Sequence, residues 1–110
     1  MLAKRVALLI RDAAIDKKAE DPIVLDVAKL TNVARYFVIT HGNSDRHVRA
    51  IAQNIQDCMD DKKVTLWHAE GMEDGRWVLL DYGSVLAHIF YHQTREFYAL
   101  ERLWGEAKQL

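Results

Sequence analysis

Residues 36–61 constrain the fold more than any other part of this chain. They open with Tyr36-Phe37-Val38-Ile39-Thr40, a short run that is almost continuously apolar and rich in β-branched side chains. A strand of that kind needs cover on both of its faces. His41-Gly42-Asn43 then reads as a turn, and Ser44 can cap a helix with its hydroxyl. Over 45–61 the apolar residues Val48, Ile51, Ala52, Ile55, Cys58 and Met59 recur on one side of a helix. A buried strand that hands over directly to an amphipathic helix predicts an α/β domain, with helices packed on a sheet.

The flanking segments extend that plan. Leu2, Val6, Leu9, Ile10 and Ala13 are spaced for an amphipathic first helix over about 2–17, with Lys4, Arg5, Arg11 and Asp12 on its other faces. Asp21-Pro22 breaks it, because proline cannot continue a helix and biases its predecessor toward extended geometry. Ile23-Val24-Leu25-Asp26-Val27 is the next strand, another interior one by its composition. After the long helix, three strands are expected as a meander: 64–69, then 76–82 after the turn Asp74-Gly75, then 85–91 after Gly83-Ser84. Thr94 can cap a last helix over 95–104, with Phe97, Leu100 and Trp104 as its apolar stripe and Gly105 as its end. The predicted order is αββαβββα, a single mixed sheet of about five strands. With no linker, low-complexity segment or repeat, residues 1–110 are expected to form one domain.

Composition narrows the function classes. Fifteen basic and sixteen acidic residues leave a formal charge of −1, whereas proteins that grip nucleic acid through phosphates carry a marked basic excess. A role on a ribonucleoprotein therefore points to a protein component, with little direct RNA contact. Cys58 is the lone cysteine, so no internal disulfide can form, as fits a reducing compartment. The apolar run from Val6 ends after five residues at Arg11, too short for a signal peptide or a membrane span. The expected location is cytosolic.

Candidate chemistry is sparse. His88 and His92 are four apart, a zinc spacing on a helix, but here they lie on strand and turn, about 13 Å apart at the usual strand rise. They read as ordinary polar or partly buried histidines. Ser44 and Ser84 sit in no nucleophile elbow, and Cys58 lies on an apolar helix stripe. Gly42-Asn43-Ser44 at a helix start could hold phosphate, with Arg46 and Arg49 nearby, and the αββαβ order looks like the nucleotidyltransferase arrangement. Those enzymes need paired carboxylates to hold two metal ions. Yet 64–69 contains no acid before Glu70, Asp81 stands alone on its strand, and Asp26 has no acidic neighbour two residues away. No catalytic residue, metal or cofactor is assigned.

What remains is a surface. Seven of the ten aromatic residues fall within 76–104. On the strand 76–82, Trp77, Leu79 and Asp81 share one face and Val78, Leu80 and Tyr82 the other. Aromatic residues bordered by charge are what protein interfaces favour. The candidate partner-binding residues are Trp77, Leu79, Asp81 and Tyr82, with Tyr98, Glu101 and Arg102 on the last helix. Phe97 and Trp104 are expected to be core. An edge strand that accepts a partner can also pair with its own copy, so a homodimer of the free protein is a further expectation.

The chain also resembles a known family. Lys18-Ala19-Glu20-Asp21, Tyr36-Phe37-Val38-Ile39 leading to Gly42-Asn43-Ser44-Asp45-Arg46, Glu70-Gly71, Trp77-Val78-Leu79-Leu80-Asp81-Tyr82-Gly83 and Arg95-Glu96-Phe97-Tyr98 through Leu100-Glu101-Arg102-Leu103-Trp104 look like the ribosomal silencing factor, or Iojap-like, family. The resemblance implies a nucleotidyltransferase-like fold without catalysis. It further implies binding to the fourteenth protein of the large ribosomal subunit, which obstructs joining of the small subunit and represses translation when nutrients are scarce. A part in large-subunit maturation is attributed to some relatives. His41, Ser84 and Ala87 depart from the commoner pattern.

Overall fold

Helix α1 (Ala3–Asp16) buries Val6, Ala7, Ile10, Ala13 and Ala14, one stripe of the expected amphipathic pattern. The chain then enters strand β1 (Glu20–Asp26) and returns antiparallel as β2 (Tyr36–Gly42). Helix α2 (Asp45–Asp61) starts at Ser44, whose Oγ accepts the His47 N–H at 3.0 Å. Next come β3 (His68–Glu70), β4 (Trp77–Asp81), β5 (Val85–Tyr91), helix α3 (His92–Tyr98) and β6 (Lys108–Gln109). This computed structural model describes residues 1–98 and 104–110.

The strands form one mixed sheet in the order β3-β4-β5-β2-β1-β6. β2 and β5 run parallel at its centre, and the other neighbours are antiparallel. That is the α/β architecture the patterning predicts, with a sixth strand added. α1 and α2 cover one face, where Val6, Ile10, Ile51, Ile55 and Met59 meet Val38, Val78, Leu80, Val85 and Ile89. Each such fully buried side chain contributes about 1.5–3 kcal/mol relative to exposure. The second face carries Leu25, Phe37, Ile39, Leu86 and Phe90, with Trp104 and Ala107 packed over part of it.

Several boundaries differ from expectation. β1 begins at Glu20, ahead of Pro22, because a bulge between Glu20 and Ile23 takes the residue that cannot donate. His41 and Gly42 belong to β2 rather than to a turn. Of the predicted strand 64–69, only the end pairs. Residues 64–67 run as a strap, with the Val64 N–H bonded to the Met59 carbonyl and the Trp67 N–H to that of Asp81. Val64 and Leu66 pack on the helical core, so burial rather than a ladder satisfies that apolar run. α3 begins at His92, directly after β5, instead of at a Thr94 cap. The rest of the predicted helix, with Leu100, lies outside the described residues.

Candidate functional site

Strand register builds the second face of the sheet row by row. Across the middle run Ile23, Ile39, His88, Leu79 and Glu70, each opposite the next on its neighbouring strand. A parallel row runs Leu25, Phe37, Leu86, Asp81 and His68. A third brings His41, Phe90 and Trp77 together. From β5 outward, exposure along these rows rises toward β3, while Ile23 and His41 at the opposite ends are half-buried. Ile39, His88, Phe37, Leu86 and Phe90 are buried, Trp77, Leu79 and Asp81 are half-buried, and His68 and Glu70 are exposed.

The cover explains this gradient. Trp104 meets Phe37 edge to face at 5.2 Å between centroids, and β6 pairs with Leu25 and Asp26 of β1. Arg95 of α3 donates to the Asp21 carbonyl in the β1 bulge at 2.8 Å and to His41 Nδ1 at 3.0 Å. His41 Nε2 in turn meets Glu20 Oε2 at 3.0 Å. These anchors all lie on the β1–β2 half. On the β4–β3 half, Trp77, Leu79 and Asp81 stay half-buried and His68 and Glu70 exposed.

On that half, Trp77 is held by neighbours. Its ring lies 5.0 Å from Phe90, and its Nε1–H donates to His88 Nδ1 at 3.2 Å. Phe37 meets His88 edge-on at 5.3 Å, while Phe90 stacks near-parallel to it at 6.2 Å. Burial pushes the His88 imidazolium down to a pKa of about 4, so the ring is neutral at pH 7. Asp81 Oδ1 accepts the Gly83 N–H at 2.7 Å, which orients the carboxylate at the end of β4. Exposed His68 and Glu70 pair at 2.8 Å beside it, a contact worth about 0–1 kcal/mol in solvent. Gly71 makes the hairpin possible: its φ is +86°, and a Cβ there would collide with the Trp77 carbonyl.

Of the residues singled out from sequence, Trp77, Leu79 and Asp81 share this face as expected. Tyr82 does not. It is 6% exposed and belongs to the core under α1 and α2, because its place in the strand alternation turns it away from Trp77. There its hydroxyl has no hydrogen-bond partner among the described residues, and burial together with nearby Asp60 pushes its pKa up to about 12. Tyr98 is the last described residue of α3. Glu101 and Arg102 lie outside the described residues. Sequence reasoning missed the roles of His88, His68 and Glu70, whose positions on this face follow only from cross-strand register. It also missed Trp67, 72% exposed on the strap leading into β3.

At Gly42-Asn43-Ser44 two polar groups, the Asn43 N–H and the Ser44 hydroxyl, are engaged within the fold. The Asn43 N–H donates to His47 Nδ1, and His47 Nε2 bonds the Lys17 carbonyl at 2.7 Å. Ser44 Oγ is occupied by its cap, and Arg49 pairs with Asp45 at 3.2 Å. Asp45 and Asp74 line the adjoining cleft, so a phosphate there would meet two carboxylates. Asp26 and Asp81 sit on β1 and β4, separated by β2 and β5. His88 is enclosed in the sheet face, while His92 opens α3 with its ring 6.3 Å from that of His41.

Comparison with known proteins decides the family. Residues 2–110 match the model of RsfS, described as ribosomal silencing factor during starvation. The chain belongs to this family. It is 43% identical over 107 residues to the ribosomal silencing factor RsfS of Bacillus subtilis, covering 97% of this chain and 91% of that protein. Similarity extends to the chloroplastic protein Iojap of Zea mays, 35% identical over 101 residues but covering only 44% of its length. A crystal structure of a Chromobacterium violaceum protein superposes with a TM-score of 0.93 at 35% identity, covering 96% of this chain and 88% of that one. The silencing-factor family thus accounts for both the sequence motifs and the mixed sheet.

Proposed function

We propose that this chain docks on the large ribosomal subunit through its fourteenth protein, and that its bulk then blocks joining of the small subunit and represses translation under starvation. The observation that carries the proposal is the β4–β3 half of the second sheet face, where Trp77, Leu79 and Asp81 are half-buried and His68 and Glu70 exposed, in a chain whose family is described by ribosomal silencing. Trp77 and Leu79 offer rigid apolar area there, and Asp81 offers a partner for a basic side chain. Such a mixture of aromatic anchor and charged rim suits a protein surface. A net charge of −1 disfavours docking led by RNA phosphates. Steric exclusion is physically sufficient, because a body of 34 × 33 × 21 Å at a subunit interface prevents closure without any reaction. A contact of about 800 Å² per partner would hold it.

On this proposal the chain is a binding protein rather than an enzyme. Support comes from the separation of Asp26 and Asp81 across the sheet and from the engagement of Ser44 as a helix cap. A contribution to large-subunit maturation is a second role. It is favoured by the mouse relative named mitochondrial assembly of ribosomal large subunit protein 1, which is 33% identical, with 40% of its length covered.

Sedimentation with purified subunits tests the main proposal. The protein should travel with large subunits and not with small ones. Raising salt from roughly 50 to 200 mM should weaken binding only modestly, whereas a phosphate-led binder would lose about a thousandfold or more. Equal binding to both subunits would sink it.

A further inference from the structure

Trp77 projects from a half-open face, yet its indole is not left to choose its own orientation. Its Nε1–H donates to His88 Nδ1 at 3.2 Å, across the β4–β5 pair. That bond sets the tautomer of His88: an accepting Nδ1 leaves the proton on Nε2. The Nε2–H is buried and has no partner among the described residues. A buried donor without a partner is destabilising, and an apolar ring at this position would avoid the loss. Histidine therefore gives the fold nothing here that phenylalanine would not, except the acceptor that Trp77 uses. The imidazole is itself immobilised, edge-on to Phe37 and stacked with Phe90, so the orientation it imposes on Trp77 is rigid.

We propose that His88 is a positioning residue of the docking face: buried and out of the partner's reach, it holds the Trp77 indole in the orientation that the ribosomal protein meets. This rests on the docking surface proposed above. Pre-orienting an aromatic anchor lowers the ordering cost of association, so loss of the acceptor should weaken binding without removing any contact atom. Burial keeps His88 neutral at physiological pH, which keeps Nδ1 available.

Three variants of the full chain separate the possibilities, each measured for large-subunit affinity, Tm and the Trp77 Nε1–H proton resonance. His88→Phe keeps a ring but removes the acceptor. Affinity should fall about three- to tenfold, the range set by one neutral hydrogen bond, while Tm holds or rises and the indole resonance shifts. His88→Asn returns an acceptor near Nδ1 and leaves a void, so Tm should fall while affinity recovers to within about twofold of the parent. Stability and affinity would then move in opposite directions, which a purely structural histidine cannot produce. Affinity that follows Tm through both variants overturns the proposal, as does unchanged affinity in His88→Phe where Trp77→Ala binds weakly. If His88→Phe fails to fold, His88→Asn still decides: poor affinity with an unshifted indole resonance refutes the positioning role. Wild-type binding by Trp77→Ala means instead that the docking surface itself is misplaced.

Discussion

The two faces of the sheet are built from different chemistry. Under α1 and α2 the contacts are almost all aliphatic, and Ile10, Ile51, Ile55, Met59, Leu80 and Ile89 are completely buried. The opposite face mixes aliphatic side chains with five rings, Phe37, Trp77, His88, Phe90 and Trp104, and among the described residues Trp104 and Ala107 cover it over the β1–β2 half. Aliphatic side chains interdigitate closely and hold a helix by dispersion and burial alone. Rings are stiff, present large area and carry a polar edge, which suits a surface meant to meet another protein. The helical face stabilises the fold, and the ring face, on our proposal, is where stability gives way to recognition.

That contrast can be broken by substitution, and the largest effect belongs on the helical side. Ile51→Ala or Ile55→Ala should cost about 2–5 kcal/mol through lost transfer energy and a residual cavity, read as a lower urea midpoint. Affinity per folded molecule should not change. An affinity loss larger than the folded fraction explains would show that the faces are not separate.

Next in size is a pH effect confined to the ring face. Between pH 6.5 and about 4 the unfolded chain takes up a proton that buried His88 refuses. The unfolded state then binds more protons, so stability falls as pH drops through that window, by roughly 3 kcal/mol in all. Below it the penalty stays constant. Urea titrations at pH 7 and pH 5 should show this loss in the parent and a smaller one in His88→Phe. Equal losses in both would assign the pH dependence to other groups.

Trp77→Ala should weaken large-subunit binding by about 2 kcal/mol, roughly thirtyfold, with the circular dichroism spectrum unchanged. If it unfolds the protein as an Ile55 substitution does, the ring face is simply a second core. The smallest effect concerns a polar side chain on the helical face. Tyr82→Phe removes a buried hydroxyl that lacks a partner among the described residues, so stability should rise by about 1 kcal/mol while binding stays as it was. Weakened binding would instead return Tyr82 to the docking surface.

What the sequence determined by itself was whatever depends on local period and chain connection. The stripe of Val48, Ile51, Ile55 and Met59 places α2 at Asp45–Asp61, Ser44 caps it, and the continuous apolar character of residues 36–40 marks a central strand. Alternation on β4 correctly puts Trp77, Leu79 and Asp81 on one side. Alternation says nothing of which side will be covered, however, so Tyr82 looked as available as Trp77. Only the packing of α1 and α2 on one face, and of Trp104 on half of the other, separated them. The same limit applies to β6 and to residues 64–67. Lys108-Gln109 has no strand pattern yet pairs with β1, while the apolar strap has one yet packs on the helical core. A strand exists only where another backbone offers its N–H and C=O groups, and that partner comes from elsewhere in the chain. His88 shows the point most sharply: its neighbours in sequence are Ala87 and Ile89, but its chemistry belongs to Trp77, eleven residues away and directly bonded to it only because β4 and β5 pair in this register.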